Sequence, residues 1–171
     1  MAVVARSLGA DVPFFLVGGT ALFGGRGDDL VHRLPHLDVE VAIVKPAAPV
    51  PTVEAYRTFD ADPQLPAGPE AVAAALISRD LEPLGPALAN NMEKAAGLVV
   101  PETADALRWI REQPGVLGAA LAGSGSAVFA ITSDAASART VAEKGAASGW
   151  WSVATRFRST GVDVTEGQGS Q

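Results

Sequence analysis

Three places in this sequence hold side chains whose types and spacing could do chemistry. Asp11 stands in Leu8-Gly9-Ala10-Asp11-Val12-Pro13-Phe14-Phe15, between a glycine and an apolar run. A carboxylate held at such a junction by neighbouring charges can take a proton from a substrate hydroxyl. On spacing alone the plainer account is a turn residue that bonds its own backbone, as most loop aspartates do. Gly123-Ser124-Gly125-Ser126 lies between two apolar runs. There, backbone amides can converge on an anion while the two hydroxyls add donors. The structural alternative is a tight turn that needs glycine only for positive φ. Thr52 and Tyr56, in Pro51-Thr52-Val53-Glu54-Ala55-Tyr56, are four apart and share a face if the segment is helical. A hydroxyl beside an aromatic ring suits a planar base with one polar handle; the plainer account is a helix start whose tyrosine packs on a strand.

Other candidates carry less. His32 and His36 are four apart, but Pro35 argues against a helical metal face and a third ligand is missing. Asp28-Asp29 reads as a solvated turn. Trp109, Trp150 and Trp151 read as core or core edge. Asn90, Asn91 and Glu93 fall on an expected helix without an evident partner.

Composition bounds the class. The 171 residues are 48% apolar, enough to bury a core, and carry a net charge of −6. That balance argues against nucleic-acid binding, which favours a basic face, but leaves a phosphorylated small ligand open, since amide donors are local. Cysteine is absent, which excludes disulfides and thiolate chemistry and fits a reducing cytoplasm. Neither a signal peptide nor an uninterrupted apolar span is expected, so the reading is a soluble protein without a membrane partner.

The elements that must position these residues follow from period and punctuation. Residues 1–9 read as the end of a helix with Gly9 at its C-cap. Val12–Val17 and Thr20–Phe23 read as β-rich runs around Gly18-Gly19, a hairpin-like signal. A glycine turn over 24–29 leads to a short strand at Leu30–Leu34. Val39–Val44 is a stronger strand. Three prolines in 46–51 exclude regular structure there, and Pro51 opens a helix. Helical patterns cover about 70–78, 86–97 and 102–113. Strands are expected at Val116–Leu121, Ala127–Ile131 and Trp150–Thr155, with a helix from Ser133 or Asp134 to about Ala147. The order strand, helices, strand, strand, helix, strand predicts an α+β split β-α-β unit of ferredoxin-like type. The expected division is 1–36 as the trailing edge of another domain, 37–158 as the main domain, and a loose tail over 159–171.

In sequence order these segments resemble the GHMP small-molecule kinases, and within them the 4-diphosphocytidyl-2-C-methylerythritol kinases. Leu8–Phe15 looks like the catalytic-aspartate segment. Gly19-Thr20-Ala21-Leu22 and Gly25-Arg26-Gly27-Asp28 resemble the glycine-bearing strands that follow it. Pro51–Tyr56 is similar to the substrate-contacting helix start, Asn90-Asn91-Met92-Glu93 to an Asn-Asp-Leu-Glu stretch, and Ala122–Phe129 to the third GHMP motif. The likeness covers about residues 3–157. It implies a C-terminal ferredoxin-like domain joined to the last part of a ribosomal-S5-like N-terminal domain. It also implies phosphoryl transfer from ATP, with Mg2+, to the 2-hydroxyl of the cytidyl substrate, a step of non-mevalonate isoprenoid synthesis. Asp11 would be the base, Thr52 and Tyr56 would hold the cytidyl end, and Gly123, Ser124, Gly125 and Ser126 would lie near the phosphates.

Two family motifs are missing from these residues: the lysine that pairs with the aspartate, and the Gly-Leu-Gly-Gly-Gly-Ser-Ser loop whose amides cradle ATP. Ala47 also stands where the family usually has glycine. The expectation is therefore a truncated form that does not turn over substrate alone. A homoserine or mevalonate kinase fragment is the nearest rival. A non-catalytic ferredoxin-like binding module is the rival from another class.

Overall fold

A computed structural model describes residues 2–65 and 68–162. The chain divides into two units, one formed by residues 2–36 with 158–162 and the other by Leu37–Phe157.

In the first unit, α1 (Ala2–Leu8) is followed by α2 (Val12–Val17), then by β1 (Thr20–Gly24) and β2 (Asp29–Leu34). The two strands pair antiparallel, with Thr20 opposite Leu34 and Gly24 opposite Asp29. Val12–Val17 is thus a helix, not the first strand of a hairpin. A six-residue apolar run has no decisive period, and here Pro13 in the first turn favours a helix start. The hairpin is β1–β2. At its turn Asp28 is buried and paired with Arg26 at 3.0 Å, while Asp29 pairs with Arg6 at 2.6 Å. The pair expected to be solvated is an ion-paired corner, and Arg26 holds the Asp28 carboxyl below its ordinary value. Residues 159–162, expected as the start of a loose tail, are held by a Val162 N–H bond to the Phe15 carbonyl at 2.9 Å. The rest of that expected tail lies outside the described residues.

The second unit opens with β3 (Glu40–Lys45), followed by α3 (Thr52–Ala61), α4 (Glu70–Ser78), α5 (Leu84–Ala87), α6 (Glu93–Val99) and α7 (Pro101–Arg111). It closes with β4 (Val116–Leu121), β5 (Val128–Thr132), α8 (Ala135–Ala147) and β6 (Trp151–Arg156). The strands form one antiparallel sheet in the order β4-β5-β3-β6. That is the ferredoxin-like order the sequence predicts. Alternate residues Ala42 and Val44, Val128 and Ala130, Ala119 and Leu121 join one core, as the two-residue period of a strand requires. α7 and α8 pack on the sheet, α6 on α7, and α3 on α6. α7 buries Thr103, Ala106, Leu107 and Ile110, a three–four spacing that lines one helical face. α8 begins at Asp134, whose side chain accepts the Ser137 N–H at 2.7 Å, an N-cap that satisfies a donor the helix cannot.

The helix expected over 86–97 is two helices. α5 ends at Ala87, Leu88 is extended, and α6 starts after Met92. The intervening Asn90 accepts the Met92 N–H on its side-chain oxygen at 2.8 Å. This local bond competes with helix, as short amide side chains do.

Candidate functional site

Strands β4 and β5 are joined by residues 122–127. Ala122 N–H donates to the Ala127 carbonyl at 2.9 Å, and Gly125 N–H donates back to Ala122 at 3.2 Å. Inside this closed turn the backbone is unusual. Gly123, Gly125 and Ser126 have φ of 57°, 132° and 76°. Glycine reaches such values freely, whereas serine does so only when its surroundings hold it there. A Cβ on Gly125 would also come within 3.0 Å of Val50, while one on Gly123 would meet nothing within 4 Å. Gly125 is therefore required by both angle and space, Gly123 by angle alone.

Two segments distant in sequence hold the turn. One is the entry to α3, where Val50 N–H donates to Ser126 Oγ at 2.6 Å. Two residues on, the Thr52 and Ser124 hydroxyls approach to 3.5 Å. Proline-rich backbone before α3 and the buried Val50 and Ala55 fix this entry, so the start of α3 faces the turn. The second segment is the α5–α6 connection. Asn90 Nδ2 donates to the Leu121 and Gly123 carbonyls at 2.9 and 2.8 Å.

β4 is an edge strand, and its outward groups are met by side chains. Glu93 accepts from Leu121 N–H at 3.3 Å, and Arg111 donates to the Ala119 carbonyl at 3.1–3.2 Å. Arg111 also donates to both Glu93 oxygens at 2.9–3.0 Å. Covering an edge in this way keeps it from pairing with another strand and holds the end of β4 from which the turn departs.

The second unit thus brings together Thr52, Gly123, Ser124, Gly125 and Ser126. Tyr56 lies one turn along α3 from Thr52 and is about half exposed. The arrangement offers hydroxyls, loop amides and the amino end of a ten-residue helix on a surface whose turn has no charged side chain. Such a surface suits an anionic or polar ligand. Asp11 lies in the first unit, immediately before α2. It is exposed, with helical backbone angles and no side-chain bond to the α2 amides.

Among the described residues, no group of three or more His, Cys, Asp or Glu side chains could hold a metal ion. His32 is an exposed residue of β2 opposite Leu22, and the buried Nδ1 of His36 has no described partner. No described helix is long and apolar enough to cross a membrane.

Arg111 escaped the sequence reading, and so did the partners of Asn90 and Glu93. Asn90 and Glu93 were expected on a helix without partners, yet they meet groups some 30 residues away in sequence. An asparagine two residues before an amide it can cap is a usable local signal; the partners across the fold have none.

Comparison with known proteins gives a consistent set of relatives. Residues 72–149 match the family described as GHMP kinases C terminal. A 4-diphosphocytidyl-2-C-methyl-D-erythritol kinase of Pelotomaculum thermopropionicum is 39% identical over 143 residues, covering 82% of this chain and 49% of that protein. The protein of the same name from Hyphomonas neptunium is 34% identical over 170 residues, covering 90% and 54%. A crystal structure of 4-(cytidine 5'-diphospho)-2C-methyl-D-erythritol kinase superposes with a TM-score of 0.71 at 32% identity, over 91% of this chain and 55% of that one. Homoserine kinase from Cytophaga hutchinsonii has a TM-score of 0.68 at 21% identity, covering 87% and 51%, a likeness of fold alone. The chain spans about half the length of the curated relatives it matches.

Proposed function

Since this chain belongs to the GHMP kinase family, whose C-terminal domain it carries, we propose that it forms the substrate-side part of a kinase. That kinase phosphorylates the 2-hydroxyl of 4-diphosphocytidyl-2-C-methylerythritol with ATP. The observation that carries this proposal is the meeting of the α3 entry with the 123–126 turn. It joins a hydroxyl pair and the Ser124 amide, unpartnered among the described residues, next to the helix that bears Tyr56. A ligand with an anionic linker and a planar base would use both parts. The naming of relatives at 33–42% identity favours this substrate over homoserine or mevalonate.

In this reading Thr52 and Tyr56 hold the cytidyl end, the turn from Gly123 to Ser126 contacts phosphate oxygens, and Asp11 accepts the proton of the 2-hydroxyl. Catalysis of this kind is chiefly positioning with charge stabilisation. ATP is the proposed phosphoryl donor. The described residues supply no cluster for the Mg2+ expected with it, so no step is assigned to the metal. The 171 residues contain no Gly-Gly-Gly-Ser-Ser stretch, the loop that the family resemblance assigns to ATP. We therefore expect them to bind the cytidyl substrate without turning it over.

Calorimetric titration of this chain with 4-diphosphocytidyl-2-C-methylerythritol, homoserine and mevalonate tests the substrate. Preference for either of the latter two overturns the assignment. An ADP-release assay of the same chain, run beside the Pelotomaculum thermopropionicum kinase, tests the lack of turnover. A rate near that of the reference enzyme would refute it.

A further inference from the structure

The 123–126 turn needs more than glycine to present an amide in a defined direction, and Asn90 is placed to supply the rest. Both ends of its amide are engaged: Nδ2 donates to the Leu121 and Gly123 carbonyls, and Oδ1 accepts from Met92 N–H. These partners also fix which end of the amide is nitrogen, because two carbonyls require a donor and one N–H requires an acceptor.

Peptide planarity gives the bonds a consequence. In a trans peptide the carbonyl and the following N–H point in opposite directions, and every described peptide is trans. Leu121 illustrates this: its carbonyl turns to Asn90 while Ala122 N–H turns across to the Ala127 carbonyl. At the next clamped peptide the Gly123 carbonyl turns to Asn90, so Ser124 N–H must point away from it. No described residue accepts from Ser124 N–H, whereas Gly125 N–H is consumed within the turn.

We propose that Asn90 is a positioning residue that, by holding the Leu121 and Gly123 carbonyls, turns the Ser124 N–H away from itself and leaves it open as an anion donor. The anion part rests on the function proposed above; the aiming does not. Asn90 touches no reacting atom in this scheme. It belongs to a connection between helices, so its hold links the α5–α6 break to the shape of the turn.

The test is nuclear magnetic resonance on the whole 171-residue chain, unliganded and then titrated with inorganic pyrophosphate. Asn90→Asp keeps the shape but puts acceptors against two carbonyls. In that variant the Ser124 N–H residual dipolar coupling should change while couplings in β3, β5 and α8 stay as in the parent. Acidification that protonates the new carboxyl restores one donor, and the Ser124 coupling should move part of the way back. A general loss of structure would not reverse in this way. Asn90→Ala, which adds no charge, serves if the aspartate variant does not fold. An unchanged Ser124 coupling in a folded variant overturns the proposal. A parent chain whose Ser124 amide ignores pyrophosphate, but whose coupling depends on Asn90, keeps the aiming role and removes the phosphate role.

Discussion

Val50 and Ser126, 76 residues apart, are joined by a 2.6 Å hydrogen bond from backbone N–H to hydroxyl. Through it the start of one helix and the turn between two strands share a single geometry. The donor would otherwise be a loop amide without a helical partner. The acceptor is a serine held at φ 76°, a conformation that needs external support.

Ser126→Ala should lower stability by about 1 kcal/mol, the usual cost of a lost neutral hydrogen bond. Ser126→Gly should cost less, because it loses the bond but relieves the positive φ. Urea unfolding followed by circular dichroism gives the order. Equal midpoints for the two variants would show that the φ of residue 126 stores no strain.

Gly125→Ala should be worse than Gly123→Ala. Alanine at 123 meets only the left-handed penalty of roughly 1–2 kcal/mol. At 125 the φ of 132° is joined by the approach to Val50, which the buried valine cannot readily vacate. Comparison of thermal midpoints measures the difference, and the double variant Gly125→Ala with Val50→Ala should recover part of it if the crowding is real.

Arg111→Ala should expose the β4 edge. The arginine is partly exposed, so the charge pair itself contributes little. The larger effect comes from the Ala119 carbonyl and from Glu93, which is freed from its partner beside Leu121. Hydrogen exchange at the Leu121 amide should rise several-fold relative to β3 and β5 amides, with a loss on the order of 1–2 kcal/mol overall. Unchanged exchange at Leu121 would mean that Glu93 holds the edge unaided.

Stability should fall at acid pH partly through Asp134. The Ser137 N–H, followed by the Ser137 and Ser133 side chains, lowers its carboxyl below the ordinary value. A depressed folded value means that the stabilisation is present above the unfolded carboxylate value, near 3.9. It is lost as pH falls through the lower folded value. Asp134→Ala should therefore unfold at lower urea than the parent near neutral pH, and the gap should close as pH falls below about 3.9. A gap independent of pH would mean that the cap acts without its charge.

On the role proposed for Asp11, an Asp→Asn substitution in a full-length family kinase that carries an aspartate at the matching position should depress kcat by roughly 10²–10⁴-fold. KM should change far less, since the amide keeps the shape and loses only the base. A loss confined to KM would assign the aspartate to binding instead.

Much of this architecture was legible along the chain. The strand at β3 and the apolar runs that became β4 and β5 were legible between glycine, proline and polar punctuation, as was a helix beginning at Ser133 or Asp134. Those signals are local. The glycine–serine turn was equally visible, because positive φ confines its residue choice. What the sequence could not decide was short or shared. Val12–Val17 is too brief to carry a period, so Pro13 and its surroundings made it a helix. The stretch 86–97 has helical composition throughout, but Asn90 found better partners in Leu121 and Gly123 than a continued helix would give it. Pairings such as Asn90 with Gly123 or Val50 with Ser126 arise only when the sheet has closed. A side chain's composition states what it can bond, and only the folded chain states what lies within 3 Å of it.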